Sequence, residues 1–321
     1  MTTIRIGSRG SQLALWQANH IADLLRTQGH QVEIEIIRTT GDRMQQPGFI
    51  PPPNLDGKGI FIKEIEEALA LGRIDLAVHS YKDLPTEIDP HFTIAAVPPR
   101  ADARDAFVCE PFWAFHTLPE GARIGTTSPR RRAQLLALRP DLNFVELRGN
   151  IDTRLRRLEE GRCDALVLAC AGLDRIGRTE SVHQHFAIDE LTPAPGQGAL
   201  ALETRHPSHP LDTDNPTRDP AIYAAIRALD HPATRYATDA ERAFLAEMGG
   251  GCELPLGAHC HPLDGGYHLH AQVLSPDGEQ MTQTAQPSHP DEPATCLGQR
   301  VAELLKSRGA LELLNAPQEA G

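Results

Sequence analysis

The sequence predicts an α/β protein built from two doubly wound lobes and a smaller α+β C-terminal domain. Three observations carry that prediction. Strand-like and helix-like hydrophobic patterns alternate through the first two hundred residues. The order helix, glycine, strand occurs at residues 63–79 and again at 153–168, with Gly-Arg-x-Asp at 72–75 and 161–164. Beyond Ala237 the alternation gives way to a helix, a glycine run, strands and a last helix.

In chain order, residues 4–7 read as a short strand. Residues 11–25 read as a helix, because Leu13, Trp16, Ile21, Leu24 and Leu25 fall near helical spacing. Residues 32–37 alternate as a strand does. Residues 42–59 hold four prolines and three glycines without any period, which predicts a long loop serving as a lid. Gly72 and Gly161 each supply the left-handed residue that ends a helix. Two similar lobes with a cleft between them are expected, and ligands of such sheets sit beyond the carboxyl ends of the strands. Prolines and glycines at 97–100 and 193–198 mark the crossings between lobes, and 206–220 reads as an exposed loop. A helix over 239–248, strands near 256–261 and 267–274, and a helix over 295–308 form the last domain. The boundaries expected are 1–98 with 198–230, then 99–197, then 231–321.

A chain of 321 residues with 40% apolar and 23% charged residues has the composition of a globular protein with several cores. No apolar run approaches the roughly 20 residues of a membrane span, and the first residues read as a strand rather than a signal peptide. A net charge of -12 argues against general nucleic-acid binding. The six cysteines lack the spacing of a disulfide framework, so a cytoplasmic location is expected.

Against that acidic background, residues 123–157 hold nine arginines and only three acids. Guanidinium forks match carboxylate and phosphate oxygens in pairs, so the cluster points to an anionic ligand. Ser128 as N-cap and Pro129 in the first helical position start a helix that puts Arg130 and Arg131 in its first turn. Cations are disfavoured there by the helix dipole, whereas an anion gains from the dipole, the free N–H groups and both guanidiniums. Arg148 falls at the carboxyl end of a strand, Asn150 caps the next helix, and Ile151, Leu155 and Leu158 form its buried stripe. That leaves Arg154 towards the cleft, with Arg156 and Arg157 in solvent.

The first lobe offers Arg9 and Ser11 between a strand and a helix, and Ser80, Lys82 and Asp83 after the strand 76–78. A carboxylate beside arginines that face an anion would pair with a cationic centre on the same ligand. Cys252 follows three glycines, which allow tight backbone conformations, and a thiol there suits a thiolate nucleophile. A metal site is not expected. Cys252, His259, Cys260 and His261 do not match common zinc spacings, and successive strand residues cannot all face one ion.

Seven segments in order give the chain a resemblance to the porphobilinogen deaminase family over nearly its whole length. They are 7–18 (GSRGSQLALWQA), 57–64 (GKGIFIKE), 77–85 (AVHSYKDLP), 124–131 (IGTTSPRR), 147–150 (LRGN), 195–198 (PGQG) and 250–252 (GGC). The resemblance implies two lobes like those of periplasmic binding proteins, and a third domain carrying a dipyrromethane cofactor through a thioether to Cys252. It implies that four porphobilinogen molecules are condensed head to tail with loss of ammonia, and that hydroxymethylbilane is then released by hydrolysis. It assigns Ser80, Lys82, Asp83, Thr126, Ser128, Arg130, Arg131, Arg148 and Gln197 to the cofactor, and Arg9, Ser11, Arg148, Arg154 and Arg175 to substrate carboxylates. Loss of ammonia creates an electrophilic azafulvenium, which makes Asp83 the catalytic carboxylate expected to face cations and pyrrole N–H groups. Lys58 and Phe61 would border the lid, and a monomer with porphobilinogen as its only partner is expected. Pro51, Pro52 and Pro53, and the insertion at 206–220, depart from the pattern. A noncatalytic anion sensor is the alternative; it would need the arginines and the lobes, but neither Asp83 nor a modified Cys252.

Overall fold

The structure is a computed structural model that describes residues 3–41, 62–109, 114–208, 218–251 and 253–315. The predicted lid segment with Lys58 and Phe61, the central part of the 206–220 insertion, and Cys252 itself lie outside the described residues. The chain divides into two compact units, residues 1–100 with 199–235 and residues 101–198 with 236–321.

In the first unit a five-stranded sheet has the order β2-β1-β3-β10-β4. Its strands are β1 (Thr3–Ser8), β2 (Gln31–Ile36), β3 (Leu76–Ser80), β4 (Phe92–Ala96) and β10 (Leu200–Arg205). Alternation decides which core each residue joins. Leu76, Val78, Leu200 and Leu202 pack with Ile21 and Leu25 of helix α1 (Gln12–Thr27) and with Ile222 and Ile226 of α6 (Arg218–Arg227). Ala77 points the other way, to Ile65 and Leu69 of helix α2 (Lys63–Ala70), while Ala199 and Ala201 join Tyr81 and Val97. Helices therefore cover both faces, as the doubly wound prediction requires.

The second unit repeats the plan with the order β7-β6-β8-β5-β9. Here β5 is Asp105–Val108, β6 Arg123–Gly125, β7 Asn143–Val145, β8 Ala165–Ala169 and β9 Gln184–His185. Ala165 and Val167 face Leu135 of helix α3 (Pro129–Leu138). Leu166 and Leu168 face Leu155 of α4 (Ile151–Glu159) and Leu173 of α5 (Cys170–Arg175). Gly72 and Gly161 end their helices at φ 65° and 70°, as the sequence echo predicts.

The C-terminal part of this unit is an antiparallel sheet of β11 (Leu256–Leu263), β12 (Gly266–Leu274) and β13 (Met281–Pro287). One face packs on α7 (Pro232–Glu247), α8 (Ala294–Lys306) and α9 (Ala310–Leu314) through Phe244, Val273 and Val301. Helix α7 starts seven residues before the predicted position, because its first turn is polar and carries no apolar stripe. The strand β13 escapes sequence pattern for a related reason: it is a polar edge strand with a single buried residue, Thr284.

Candidate anion-binding active site

In the first unit the predicted residues gather at the carboxyl ends of the parallel strands β1 and β3. Ser11 caps α1, its Oγ accepting from the Ala14 N–H at 3.3 Å, and half-buried Arg9 lies between strand and helix. Ser80 closes β3 and its Oγ accepts from Gln17 Nε2 at 2.8 Å. A 3-10 turn, Tyr81–Asp83, comes next; Tyr81 is buried beneath it, Lys82 is half-buried and the Asp83 carboxylate is exposed.

In the second unit β6 runs into Thr126, Thr127 and Ser128, and the predicted cap is present. Ser128 Oγ accepts from the Arg131 N–H at 3.4 Å, and Thr126 Oγ1 accepts from the Ser128 N–H at 3.1 Å. Ser11, Ser80, Thr126 and Ser128 thus all use their oxygens as acceptors. Among the described residues none of these O–H groups has an acceptor, so each can donate to a carboxylate ligand.

Arg130 and Arg131 are buried and share one internal partner that sequence reasoning did not find, Asp105. Its Oδ2 lies 2.8 Å from Arg130 Nη1, and its Oδ1 accepts from Arg131 Nη2 at 2.7 Å. Arg130 Nη1 also donates to the Thr192 carbonyl at 2.7 Å. Gln197 Nε2 completes the group, donating to Asp105 Oδ1 at 3.0 Å and to the Ala103 carbonyl at 2.7 Å. Burial alone would raise the Asp105 pKa, but the two guanidiniums reverse this and hold the carboxyl far below the usual range. The group therefore keeps two cations against one anion. Arg130 itself is lowered by burial, with Arg131 adding to the effect and Asp105 opposing it. A lone acid opening the apolar strand 105–108 was the available signal, because a buried carboxylate requires a cationic partner.

Arg154 donates from Nε to the Gly149 carbonyl at 2.9 Å, and its pKa falls to about 10 through burial and then the like charges of Arg131 and Arg157. Arg175 is buried, donates to the Gly198 carbonyl at 2.7 Å, and is likewise lowered to about 10, by burial. Arginines that depress one another leave a positive field which an anion would relieve. Arg148 stands apart, exposed and 3.5 Å from Glu146. The rest of the cluster is structural or solvated. Arg123 pairs with Asp164 and Arg139 with Asp141, exposed Arg156 lies 3.7 Å from Glu160, and Arg157 donates to the Arg148 carbonyl. Gly249, Gly250 and Gly251, just before Cys252, all have positive φ, a backbone that favours glycine.

Hydroxyls and buried arginines past the strand ends of the second unit define a protein suited to an anionic small molecule, and the first unit carries hydroxyls and an exposed carboxylate at its own strand ends. Comparison with known proteins narrows that class. Residues 4–213 match the family profile described as porphobilinogen deaminase, dipyromethane cofactor binding domain, and 236–307 match its C-terminal domain. The chain is 42% identical over 316 residues to a porphobilinogen deaminase of Geobacter sulfurreducens, covering 98% of this chain and 94% of that one. It is 44% identical over 314 residues to one from Roseiflexus sp. strain RS-1, covering 97% and 98% of the two chains. Among solved structures it is similar to a periplasmic substrate-binding protein of an ABC transporter from Coxiella burnetii, at 16% identity and a TM-score of 0.41, over 72% of this chain and 94% of that one. The chain belongs to the porphobilinogen deaminase family. It is a transferase of tetrapyrrole biosynthesis that condenses porphobilinogen and works with a dipyrromethane cofactor, which sets aside the noncatalytic sensor.

Proposed function

We propose that Cys252 holds the dipyrromethane by a thioether, and that the residues at the strand ends position it and the growing chain while four porphobilinogens are added and hydroxymethylbilane is released by hydrolysis. The arginines fit such a group. Its acetate and propionate side chains are anions, and Arg130 and Arg131 retain one positive charge beyond what Asp105 neutralises. That surplus of buried cation is the observation that carries the reading. When bound, the cofactor supplies the pyrrole carbon to which the first substrate is joined.

Ser80, Lys82, Asp83, Thr126, Ser128, Arg130, Arg131, Arg148 and Gln197 hold the cofactor. Arg9, Ser11, Arg148, Arg154 and Arg175 hold substrate carboxylates. Asp83 accepts from pyrrole N–H groups and lowers the energy of the positive charge that develops as ammonia leaves. Gln197, with its amide donating to Asp105, keeps that carboxylate oriented towards Arg131. The lid role expected of Lys58 and Phe61 concerns residues outside those described. The three-domain division (1–98 with 198–230, 99–197, and 231–321) belongs to the same reading, as does a cytoplasmic monomer without nucleic-acid or membrane partners. The acidic net charge of -12 supports the last point. Among the described residues no helix is long and apolar enough to cross a membrane.

Intact-protein mass spectrometry tests the attachment. The purified chain should carry the added mass of two linked pyrroles, and Cys252→Ala should lack it and be inactive. An active protein without the added mass would overturn the assignment.

A further inference from the structure

Four histidines share one face of the C-terminal sheet. The register of β11 and β12 sets His259 opposite His270 and His261 opposite His268. The intervening Ala258, Cys260, Leu269 and Ala271 face the hydrophobic core on the other side. The rings are already close, with centroids 5.6 Å apart for His259 and His261 and 6.1 Å apart for His261 and His268. His261 Nδ1 and His270 Nε2 are shielded from solvent and have no hydrogen-bond partner among the described residues. A shielded nitrogen with no partner is costly, and a ligand would remove that cost. Carboxylates border the group: Glu241 Oε1 lies 3.7 Å from His259 Nδ1, and the charge of Asp189 reaches His270.

We propose that this face binds one divalent first-row transition-metal ion of the kind that prefers imidazole, Zn2+ or Ni2+, with His261 as the central ligand. A Zn–N bond of about 2.1 Å puts each ring centre roughly 3.2 Å from the ion, so two imidazoles on a tetrahedral ion have centres about 5 Å apart. The observed separations of 5.6 and 6.1 Å exceed this by about 0.6 and 1.1 Å, within reach of side-chain rotation in half-buried rings. The ion has a way in, because Ala285 and Pro287, which pair with His270 and His268 on this face, are exposed. The donor atoms of the quartet have still to be drawn together: among the described residues only Asp102, Cys170 and His185 place three ligand atoms within 4.8 Å of one another, and there both Asp102 oxygens already accept from Arg104. His261 and His270 have nitrogens to offer. Their sheet also backs the anion site: a Cβ on Gly257 would lie 2.5 Å from the Thr192 carbonyl that Arg130 uses. A bound ion would stiffen that support.

Calorimetric titration of the metal-stripped holoenzyme with Zn2+ tests the proposal. One equivalent should bind, with affinity at least tenfold weaker in His261→Gln and weaker still in His261→Gln/His268→Gln. His91→Gln and Cys296→Ser, changes at exposed positions elsewhere, should leave it unchanged. Unaltered affinity in the double variant, or equal loss in either control, would overturn the site. Nitrogen-15 spectra of the histidines in the unmodified holoenzyme give a readout independent of variant folding. Zn2+ should shift the ring resonances of the quartet, and shifts confined to other histidines would refute the assignment.

Discussion

The sheet of the first unit runs β2-β1-β3-β10-β4 and that of the second β7-β6-β8-β5-β9, and in each the fourth strand is antiparallel to the third. The likeness extends to single hydrogen bonds. Arg5 donates its N–H and Nη2 to Asp75 at 2.9 Å each, and Arg123 does the same to Asp164 at 2.8 Å. The Gly-Arg-x-Asp echo therefore marks one structural device used twice. The two units part company just past their strand ends. The first unit ends β3 in a turn with the exposed carboxylate of Asp83, whereas the second places two buried guanidiniums around Asp105 after β6. Because the frame is stabilised by its cores and strand pairs, residues just past the strand ends are free to specialise.

That contrast can be broken at four places. The largest effect expected is at Asp83. Replacing it with Ala should lower the rate of tetrapyrrole formation by about two to four orders of magnitude, while the urea unfolding midpoint stays unchanged because the side chain is exposed. Full activity would remove Asp83 from the chemistry. Next is Asp105→Asn, which leaves two buried guanidiniums without their anion. Breaking a buried pair costs about 3–5 kcal/mol, to be read as a lower unfolding free energy. A variant as stable as the parent would mean that solvent or ligand, not Asp105, neutralises the arginines.

The repeated device then allows a matched comparison. Asp75 is fully buried and also pairs with Arg205 at 3.3 Å, while the Asp164 side chain is 35% exposed. Asp75→Asn should cost about 3 kcal/mol as a buried pair does, and Asp164→Asn should barely move the unfolding curve. Equal losses would show that the two units do not use burial differently. The smallest effect concerns pH. Burial, then the charge of Glu203, raise the Glu66 pKa to about 7. A carboxyl raised on folding binds more protons in the native state, so its stabilising contribution is complete below pH about 4.5 and is lost as pH rises through about 7. After allowance for solvent screening the change is about 1–2 kcal/mol. Denaturation curves between pH 5 and 8 should show it in the parent and not in Glu66→Gln; identical pH dependence would refute it.

Much of the frame is legible in the sequence. Ser128 and Asn150 are caps as predicted, and Ser11, read only as opening its helix, caps it too; each accepts from the N–H three residues on. The stripe of α4 is legible with less precision, since Leu155 is buried but Ile151 and Leu158 are only half-buried. The strand β10 is not legible at all. Its Glu203, Thr204 and Arg205 look like surface residues, yet all three are buried. Arg205 donates to the Leu69 and Ile74 carbonyls, and Glu203 Oε2 pairs with His79 Nε2 at 3.0 Å. Polar residues with long-range partners do not announce their burial in a linear pattern.

The sequence by itself determined where the capped and glycine-ended helices begin or end, that two units echo each other, and that the ligand is an anion. Those features depend on caps, glycines and charge within a few residues of one another, so short-range rules suffice. Only the tertiary structure decided which arginines are neutralised from within, and that Asp105 does it. It alone brought His268 and His270 against His259 and His261, whose spacing along the chain is a poor metal pattern. Both outcomes rest on strand order and register, which join residues far apart in the chain, and register is set by the packing of whole sheet faces.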